Sequence, residues 1–281
     1  MSVTITLHVF SGRPNPTWEL SEDQAGDLSN QLNGLDKTTL LKPPGILGGL
    51  GYQGFSIQAV REKNFDPYIY IHSGIVDLDR FLPNMFTGNT SIENWLISTS
   101  PGNVLDSDLR SYVESELQKP SSLLDDPKLS FSFFTVPRYD PGKWNNDQNI
   151  LYKNNCYNYA NDKITYTFAQ PGRGSGEEGP FPPTCTKTGL ASERDGQKPT
   201  DSALSSPTEG HFIALVVWPG YDYHWYRLDD NGKWSHKPGS TPATNKDNSN
   251  NLITDPKNCD RGPYSEFCGY YYCNPSKTKI V

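Results

Sequence analysis

An uninterrupted apolar run in the second half of the chain limits the folds that it can adopt. Residues 212–218 are all apolar and rich in β-branched side chains, which predicts a strand in the protein core. A Pro-Gly turn at 219–222 follows, and residues 223–228 run back from it. A second turn at 229–232 leads into Lys233-Trp234-Ser235-His236. Tight turns between short strands predict an antiparallel meander.

The first half of the chain alternates between segments typical of strands and segments typical of helices. Residues 21–32 begin with a Ser-Glu-Asp cap, and residues 106–118 place leucine and valine at helical spacing, so both predict helices. Strands are predicted at residues 2–10, 54–60, 67–72 and 128–134. The predicted fold class is therefore α+β.

A turn-forming segment, Tyr139-Asp140-Pro141-Gly142, marks the expected domain boundary. We expect an N-terminal α+β domain of unknown role at residues 1–137 and a second domain at 138–281. The second domain begins with a helix predicted from Cys156 to about Phe168. Residues 171–208 are crowded with Gly, Pro, Ser and Thr, and we expect a functional flap there or a loop held by Cys185.

Composition excludes several classes of partner. The net charge is −7 and no basic stripe is present, so nucleic acid is not expected as a partner. No apolar run approaches the roughly 20 residues of a membrane span. Residues 2–10 alternate like a strand and lack the charged region and cleavage site of a signal peptide.

The cysteines indicate an oxidising compartment, so a secreted location is favoured over a cytoplasmic one. Four of the five lie in the loop-rich C-terminal third, where cross-links stabilise most, and they allow three pairings: Cys185, Cys259, Cys268 and Cys273. Their spacing does not fit the tight Cys-x2-Cys pairs of a zinc site, so no metal is expected. If these four pair, Cys156 is left over.

A thiol at a helix start is the first candidate for chemistry. Cys156 follows the polar residues 144–149, and the unpaired N–H groups and positive dipole of a helix start favour the thiolate. His211 precedes the apolar strand and can act as its base. Asp229, at the end of the return strand beside Asp230, can orient the imidazole. The oxyanion would bind the backbone N–H of Cys156 and one upstream side-chain amide, from Gln148, Asn149 or Asn154.

The order of these segments resembles the papain-like superfold of cysteine peptidases and amidases, which includes the NlpC/P60 and CHAP-type cell-wall amidases. The matching segments are Asn155-Cys156-Tyr157-Asn158-Tyr159-Ala160, Gly210-His211-Phe212-Ile213-Ala214-Leu215-Val216 and Tyr223-His224-Trp225-Tyr226-Arg227-Leu228-Asp229. The resemblance implies a Cys-bearing helix packed on an antiparallel meander, and it covers the second half of the chain only. The Gly-Ser-Cys-Trp pattern of papain itself is absent, which leaves the substrate class open.

The resemblance also implies that a second histidine can take the orienting role. His224 is therefore the alternative to Asp229, although a tight hairpin places it on the order of 20 Å along the strand from His211. His236 precedes Lys237-Pro238-Gly239 and can instead hold that turn.

Three functions follow as hypotheses. The first is a cysteine hydrolase that cleaves peptide or amide bonds through Cys156, His211 and Asp229, with a thioester intermediate and without a metal or organic cofactor. The second is a secreted binding or structural protein that keeps this fold without turnover. The third is an acyltransferase of transglutaminase-like chemistry. The sequence leaves the oligomeric state open.

Overall fold

A computed structural model describes residues 2–35, 49–61, 64–65, 69–72, 74–77, 85–87, 90–119, 136–201 and 210–281. The chain forms two compact units, each with helices and an antiparallel sheet, which confirms the α+β class. The first unit takes Met1–Val9, Asn15–Ile46 and Tyr52–Asp125, and the second takes Phe10–Pro14, Leu47–Gly51 and Asp126–Val281. The boundary predicted at residue 138 assigns Phe10–Pro14 and Leu47–Gly51 to the first domain, whereas both segments belong to the second unit.

In the first unit, the described residues contain seven strands and three helices. The strands are β1 (Ser2–Leu7), β2 (Thr17–Glu19), β3 (Phe55–Arg61), β4 (Asn64–Phe65), β5 (Ile69–His72), β6 (Ile75–Asp77) and β7 (Met85–Thr87). They form a sheet of order β2-β1-β3-β5-β6-β7, with β4 beside β3. The helices are α1 (Glu22–Asn33), α2 (Ser91–Thr99) and α3 (Ser107–Leu117).

Two of these helices begin where the sequence predicts. The Ser21 hydroxyl accepts a bond from the backbone N–H of Gln24, whose side chain accepts one from the Ser21 N–H, so α1 has a complete capping box. The Asp106 carboxylate accepts from the backbone N–H of Leu109 at the start of α3. The strand predicted at 128–134 lies outside the described residues.

The second unit is built on the predicted meander. Its elements are α4 (Pro141–Asn145), α5 (Gln148–Lys153), α6 (Cys156–Ala160), α7 (Cys185–Arg194), β8 (Lys198–Thr200), β9 (His211–Trp218), β10 (Asp222–Leu228), β11 (Trp234–His236) and β12 (Glu266–Cys273). The sheet order is β11-β10-β9-β12-β8. Strand β9 is central, and apolar clusters cover both of its faces, which explains its uninterrupted apolar sequence.

One prediction for the second unit is wrong in extent. The Cys156 helix ends at Ala160 instead of near Phe168, because Asp162, Tyr166 and Phe168 adopt a left-handed backbone with φ of 50°, 60° and 53°. The segment 171–208, expected to be a functional flap or a loop held by Cys185, contains α7 and β8, and Cys185 at the start of α7 is bonded to Cys268. Among the described residues, no helix is long and apolar enough to cross a membrane.

The disulfide prediction is correct for one pair only. Cys185 is bonded to Cys268, whereas Cys259 and Cys273 are free thiols together with Cys156. Cys273 is buried at the end of β12, opposite His211 in the strand pairing, so it faces the sheet core and not another sulfur. Cys156 is therefore not the only unpaired cysteine.

Candidate functional site

Side chains cap the backbone N–H groups at the helix start that contains Cys156. The Asn155 side-chain oxygen accepts bonds from the backbone N–H groups of Tyr157 and Asn158 at 3.0 and 3.1 Å. The Asn158 side chain accepts in return from the backbone N–H of Asn155 at 3.1 Å. This reciprocal capping confirms that α6 begins at Cys156.

The Cys156 thiol is fully buried and does not have the environment of a thiolate. Burial raises the pKa of the Cys156 thiol strongly, and the nearby Asp222 carboxyl raises it further. Hydrogen bonding to the Trp225 backbone, the charge of Lys237 and hydrogen bonding to the Ser11 hydroxyl lower the pKa and only partly offset these effects. The thiol is therefore neutral near pH 7, which is the opposite of the state expected from its place at a helix start.

His211 is bonded to the other end of the same helix. Its Nε2 lies 2.6 Å from the carbonyl oxygen of Ala160, so Nε2 carries the proton and donates it. Its Nδ1 is buried without a partner, so neither ring nitrogen bonds the Cys156 sulfur. Burial lowers the pKa of His211 to about 4.

The strand register shows why the two side chains are not brought together. Cys156 lies by Trp225, whose partner on β9 is Leu215. Leu215 is four residues from His211 along the same strand, roughly 13 Å at the rise of a β-strand. The order of segments is as predicted, but Cys156 is the first residue of α6 and His211 bonds the last residue of that helix.

Asp229 is engaged by an arginine instead of the imidazole. The Arg227 Nε donates to Asp229 at 2.8 Å, and the Ser235 hydroxyl donates to its other oxygen. Burial raises the pKa of Asp229 to about 6. Arg227 also donates to the Tyr159 hydroxyl at 3.1 Å and lies over the Tyr159 ring, so the Asp229–Arg227 pair fixes α6 against β10.

The alternative orienter, His224, forms a pair with His236. The His236 Nε2 lies 2.9 Å from the Lys246 carbonyl, which can only accept, so Nε2 carries the proton. The His236 Nδ1 must then accept from the His224 Nε2 at 2.9 Å. His224 packs against Tyr226 and Tyr264, whereas Trp225 belongs to the cluster with α6, so His224 faces away from Cys156.

We expect the imidazoles of His211, His224 and His236 to stay neutral when the pH falls from 7 to 5, because burial lowers the pKa of each. In the unfolded chain a histidine titrates near 6.5. The unfolded state therefore binds more protons below that pH, and the stability that these residues contribute falls as the pH falls below 6.5, and for His211 and His236 it is lost toward pH 4.

An NMR titration of the imidazole protons checks this expectation. The resonances of these three residues should not move between pH 7 and 5, and in concentrated urea they should titrate near 6.5, which serves as the control. Asp222 and Asp229 act in the opposite direction on stability, because burial raises the pKa of each to about 6. A folded-state midpoint above 6 for any of the three histidines would contradict the buried, neutral assignment.

The three candidate oxyanion amides do not converge on the thiol. Gln148 and Asn149 are exposed on α5. The Asn154 amide is buried; its nitrogen donates to the Ile150 carbonyl at 2.9 Å, and its oxygen accepts from the backbone N–H groups of residues 165 and 166. The Asn154 side chain therefore bonds the end of α5 and the loop after α6.

Three asparagines around the cysteine hold that loop, a role that sequence reasoning missed. Besides Asn154, the Asn155 amide donates to the Ala169 carbonyl at 2.8 Å, and the Asn158 oxygen accepts from the Ala169 N–H at 3.1 Å. The Asn158 amide also donates to the Thr165 hydroxyl at 2.7 Å. The repeated asparagines at 154, 155 and 158 were the available signal, since short amides commonly bond nearby backbone.

Lys237 is a buried cation that sequence reasoning also missed. Its ammonium donates to the carbonyls of Leu151, Asn154 and Gly239 at 2.6, 2.7 and 2.6 Å. All three of its protons are thereby bonded, and burial lowers its pKa to about 7. Two of these carbonyls lie at the C-terminal end of α5, where a cation is favourable.

The remaining free thiols do not form a metal centre. Cys273 donates to the Asn161 side-chain oxygen at 3.3 Å, and Cys259 lies 3.9 Å from the Tyr226 hydroxyl. No group of three or more His, Cys, Asp or Glu side chains within the described part of the chain could hold a metal ion. The interior polar groups serve contacts within the fold.

These contacts define an α+β protein with a disulfide and with buried polar side chains that are committed to internal hydrogen bonds. The chain is 47% identical to insoluble matrix shell protein 1 of Ruditapes philippinarum over 146 residues, which cover 90% of that protein and 49% of this chain. The chain therefore belongs to the family of that shell protein. No family model and no solved structure matches it.

Proposed function

We propose that the chain is a secreted structural protein of an extracellular matrix that keeps its fold without catalytic turnover. The observation that carries this proposal is the 47% identity to a protein named insoluble matrix shell protein 1, across 90% of that protein. A disulfide is consistent with an extracellular location, because thiols are kept reduced in the cytosol.

The interior contacts support a structural role. The predicted base, His211, and the predicted orienter, Asp229, are bonded to other groups, and the Cys156 thiol is neutral and buried. The three asparagines, Lys237 and Arg227 tie helices to loops and strands, which stabilises a fixed shape.

Extraction of the source material tests the proposal. Antibodies against the chain should find it in the extracellular material that remains insoluble after exhaustive washing with detergent and chaotrope. A soluble intracellular marker from the same material, processed in parallel, should be removed completely. Recovery of the chain with that marker would overturn the proposal.

The cysteine hydrolase is the second candidate, and the packing of α6 on β10 is the observation that favours it, as the papain-like resemblance implies. This candidate requires that the thiol become accessible and that His211 leave the Ala160 carbonyl, because both groups are buried. A transglutaminase-like acyltransferase has the same requirement. Thiol reactivity separates these enzymes from the structural protein.

We expect Cys156 to resist alkylation in the native protein, because its sulfur is buried and its pKa is raised by that burial. Iodoacetamide labelling, mapped by mass spectrometry, should modify Cys156 only after denaturation. The partly exposed Cys259 is replaced by serine in both samples so that it does not consume reagent.

A Cys156→Ala variant identifies the labelled peptide in this experiment. Rapid native labelling of Cys156 that weakens below about pH 5 would support a thiolate–imidazolium pair and the hydrolase. Incorporation of a free amine into a glutamine substrate would favour the acyltransferase.

A further inference from the structure

We propose that Tyr166 is the site at which oxidation joins two copies of this chain covalently. The inference deepens the proposed function and rests on it, because a covalent bond between two copies resists the detergent and chaotrope that an insoluble matrix survives. It depends on three features of the second unit: the exposure of the Tyr166 ring, the burial of the other phenols and the backbone that carries Tyr166.

Tyr166 differs from the other tyrosines in exposure. The residue is 51% exposed, whereas every other tyrosine in the described ranges is buried or half-buried. The sequence is rich in tyrosine, with 16 in all, yet Tyr166 alone is exposed among those that the structure describes. Two phenol rings can couple only if both reach each other, which favours Tyr166 over the rest.

Several of the other phenols are also bonded within the fold. The hydroxyls of Tyr157, Tyr223 and Tyr264 donate to the Asp195 carboxylate, the Gly12 carbonyl and the Asp222 carboxylate. Burial raises the pKa of each of these phenols, so they release a proton with difficulty. Oxidation of a phenol to a radical requires the loss of that proton, so these rings are poor sites.

The backbone at Tyr166 is held in an unfavourable conformation. Its φ is 60°, in the left-handed region that an aromatic residue rarely adopts. The Asn154 side-chain oxygen fixes it by accepting from the N–H groups of Thr165 and Tyr166 at 3.0 and 3.2 Å. These two bonds hold the backbone that carries the exposed residue in one conformation.

The coupling step is balanced with a peroxide as the oxidant. Each of two Tyr166 phenols, one from each copy, loses one electron and one proton to give a phenoxyl radical. The two radicals form a carbon–carbon bond between ring positions ortho to the oxygens, and the two displaced ring hydrogens return to those oxygens as protons. The two electrons and two protons removed reduce one hydrogen peroxide to two waters.

The partner is a second copy, because the same exposed ring then serves on both sides of a symmetric contact. One exposed tyrosine per chain, within the described residues, would give covalent dimers and not longer chains. A covalent dimer is therefore the expected product, and denaturing electrophoresis separates it from the monomer.

Oxidation of the purified, disulfide-bonded chain with a haem peroxidase and hydrogen peroxide tests the proposal. We expect a covalent dimer that survives reducing denaturing electrophoresis, dityrosine fluorescence, and a cross-linked peptide that contains Tyr166 twice. Tyr166→Phe should lose the dimer. Tyr270→Phe, which alters a half-buried phenol bonded to Asp255, should keep it and is the matched control.

Both variants keep the aromatic ring and lose only the hydroxyl, so we expect both to fold, and their melting temperatures check this. A dimer that persists in Tyr166→Phe, or is lost equally in Tyr270→Phe, would overturn the proposal. Failure of coupling together with recovery of the chain in the insoluble matrix would refute the Tyr166 site alone. Coupling through Tyr166 in a chain that is absent from the matrix would refute the proposed function alone.

Discussion

Removal of the Cys185–Cys268 disulfide is expected to lower the free energy of unfolding by about 4.5 kcal/mol. The bond joins residues 83 positions apart, so it closes a large loop and lowers the conformational entropy of the unfolded chain. A loss of this size is a large share of the stability of an ordinary domain.

Urea denaturation of Cys185→Ser/Cys268→Ser, compared with the oxidised parent chain, measures this loss. Cys259→Ser, which removes a free thiol, is the matched control and should change the free energy of unfolding by less than about 1 kcal/mol. An unchanged free energy of unfolding in the double variant would contradict the prediction, because the disulfide would then contribute nothing to stability.

The strand pairing explains why this pair forms and the others do not. Cys268 lies at a bulge of β12, between Phe267 and Gly269, where the register with β9 shifts. The extra residue is left out of the ladder, and its sulfur meets Cys185 at the first position of α7. Cys273 pairs regularly with His211 in the same ladder and reaches no second sulfur.

The local elements of this fold could be predicted from the sequence because local rules determine them. The hairpin of β9 and β10 follows from one apolar run and a Pro-Gly turn, and helices α1 and α3 follow from their caps at Ser21 and Asp106. The cysteine pairing could not be predicted, because the bulge at Cys268 is set by packing between strands that are distant in sequence.

The candidate site also depends on contacts between residues that are distant in sequence. The sequence order of Cys156, His211 and Asp229 was sufficient to suggest a triad, but order does not determine distance. The short helix α6 places the thiol at its start and the imidazole at its end, and Arg227 takes the carboxylate. The triad remains a prediction from order, whereas the asparagine contacts around Cys156 could have been suggested from the repeated asparagines at 154, 155 and 158.

Asp222→Ala is expected to destabilise the protein by about 3–5 kcal/mol, because it removes the acceptor for several buried donors at once. The Asp222 carboxylate accepts from the backbone N–H groups of Ser11 and Gly12 at 2.6 and 3.1 Å, and from the hydroxyls of Ser11 and Tyr264. Alanine would leave the two N–H groups buried without partners.

Ser11 and Gly12 are packed too closely against β10 to shift toward other hydrogen-bond acceptors. A Cβ on Gly12 would lie 2.5 Å from the Tyr223 carbonyl oxygen, so the backbone is already as close to β10 as it can be. The Gly12 carbonyl in turn accepts from the side chains of Asn155 and Gln170 at 3.1 and 2.8 Å. Loss of Asp222 should therefore also loosen the helix start at Cys156.

Equilibrium denaturation at pH 7 measures the stability of Asp222→Ala, and Asp230→Ala, in the turn after β10, is the matched control. The control should change the free energy of unfolding by about 0.5 kcal/mol or less. If native alkylation of Cys156 rises in Asp222→Ala but not in the control, the carboxylate and the thiol share one buried cluster. A loss below about 1 kcal/mol would mean that Ser11 and Gly12 find other acceptors, and the segment would not anchor the second unit.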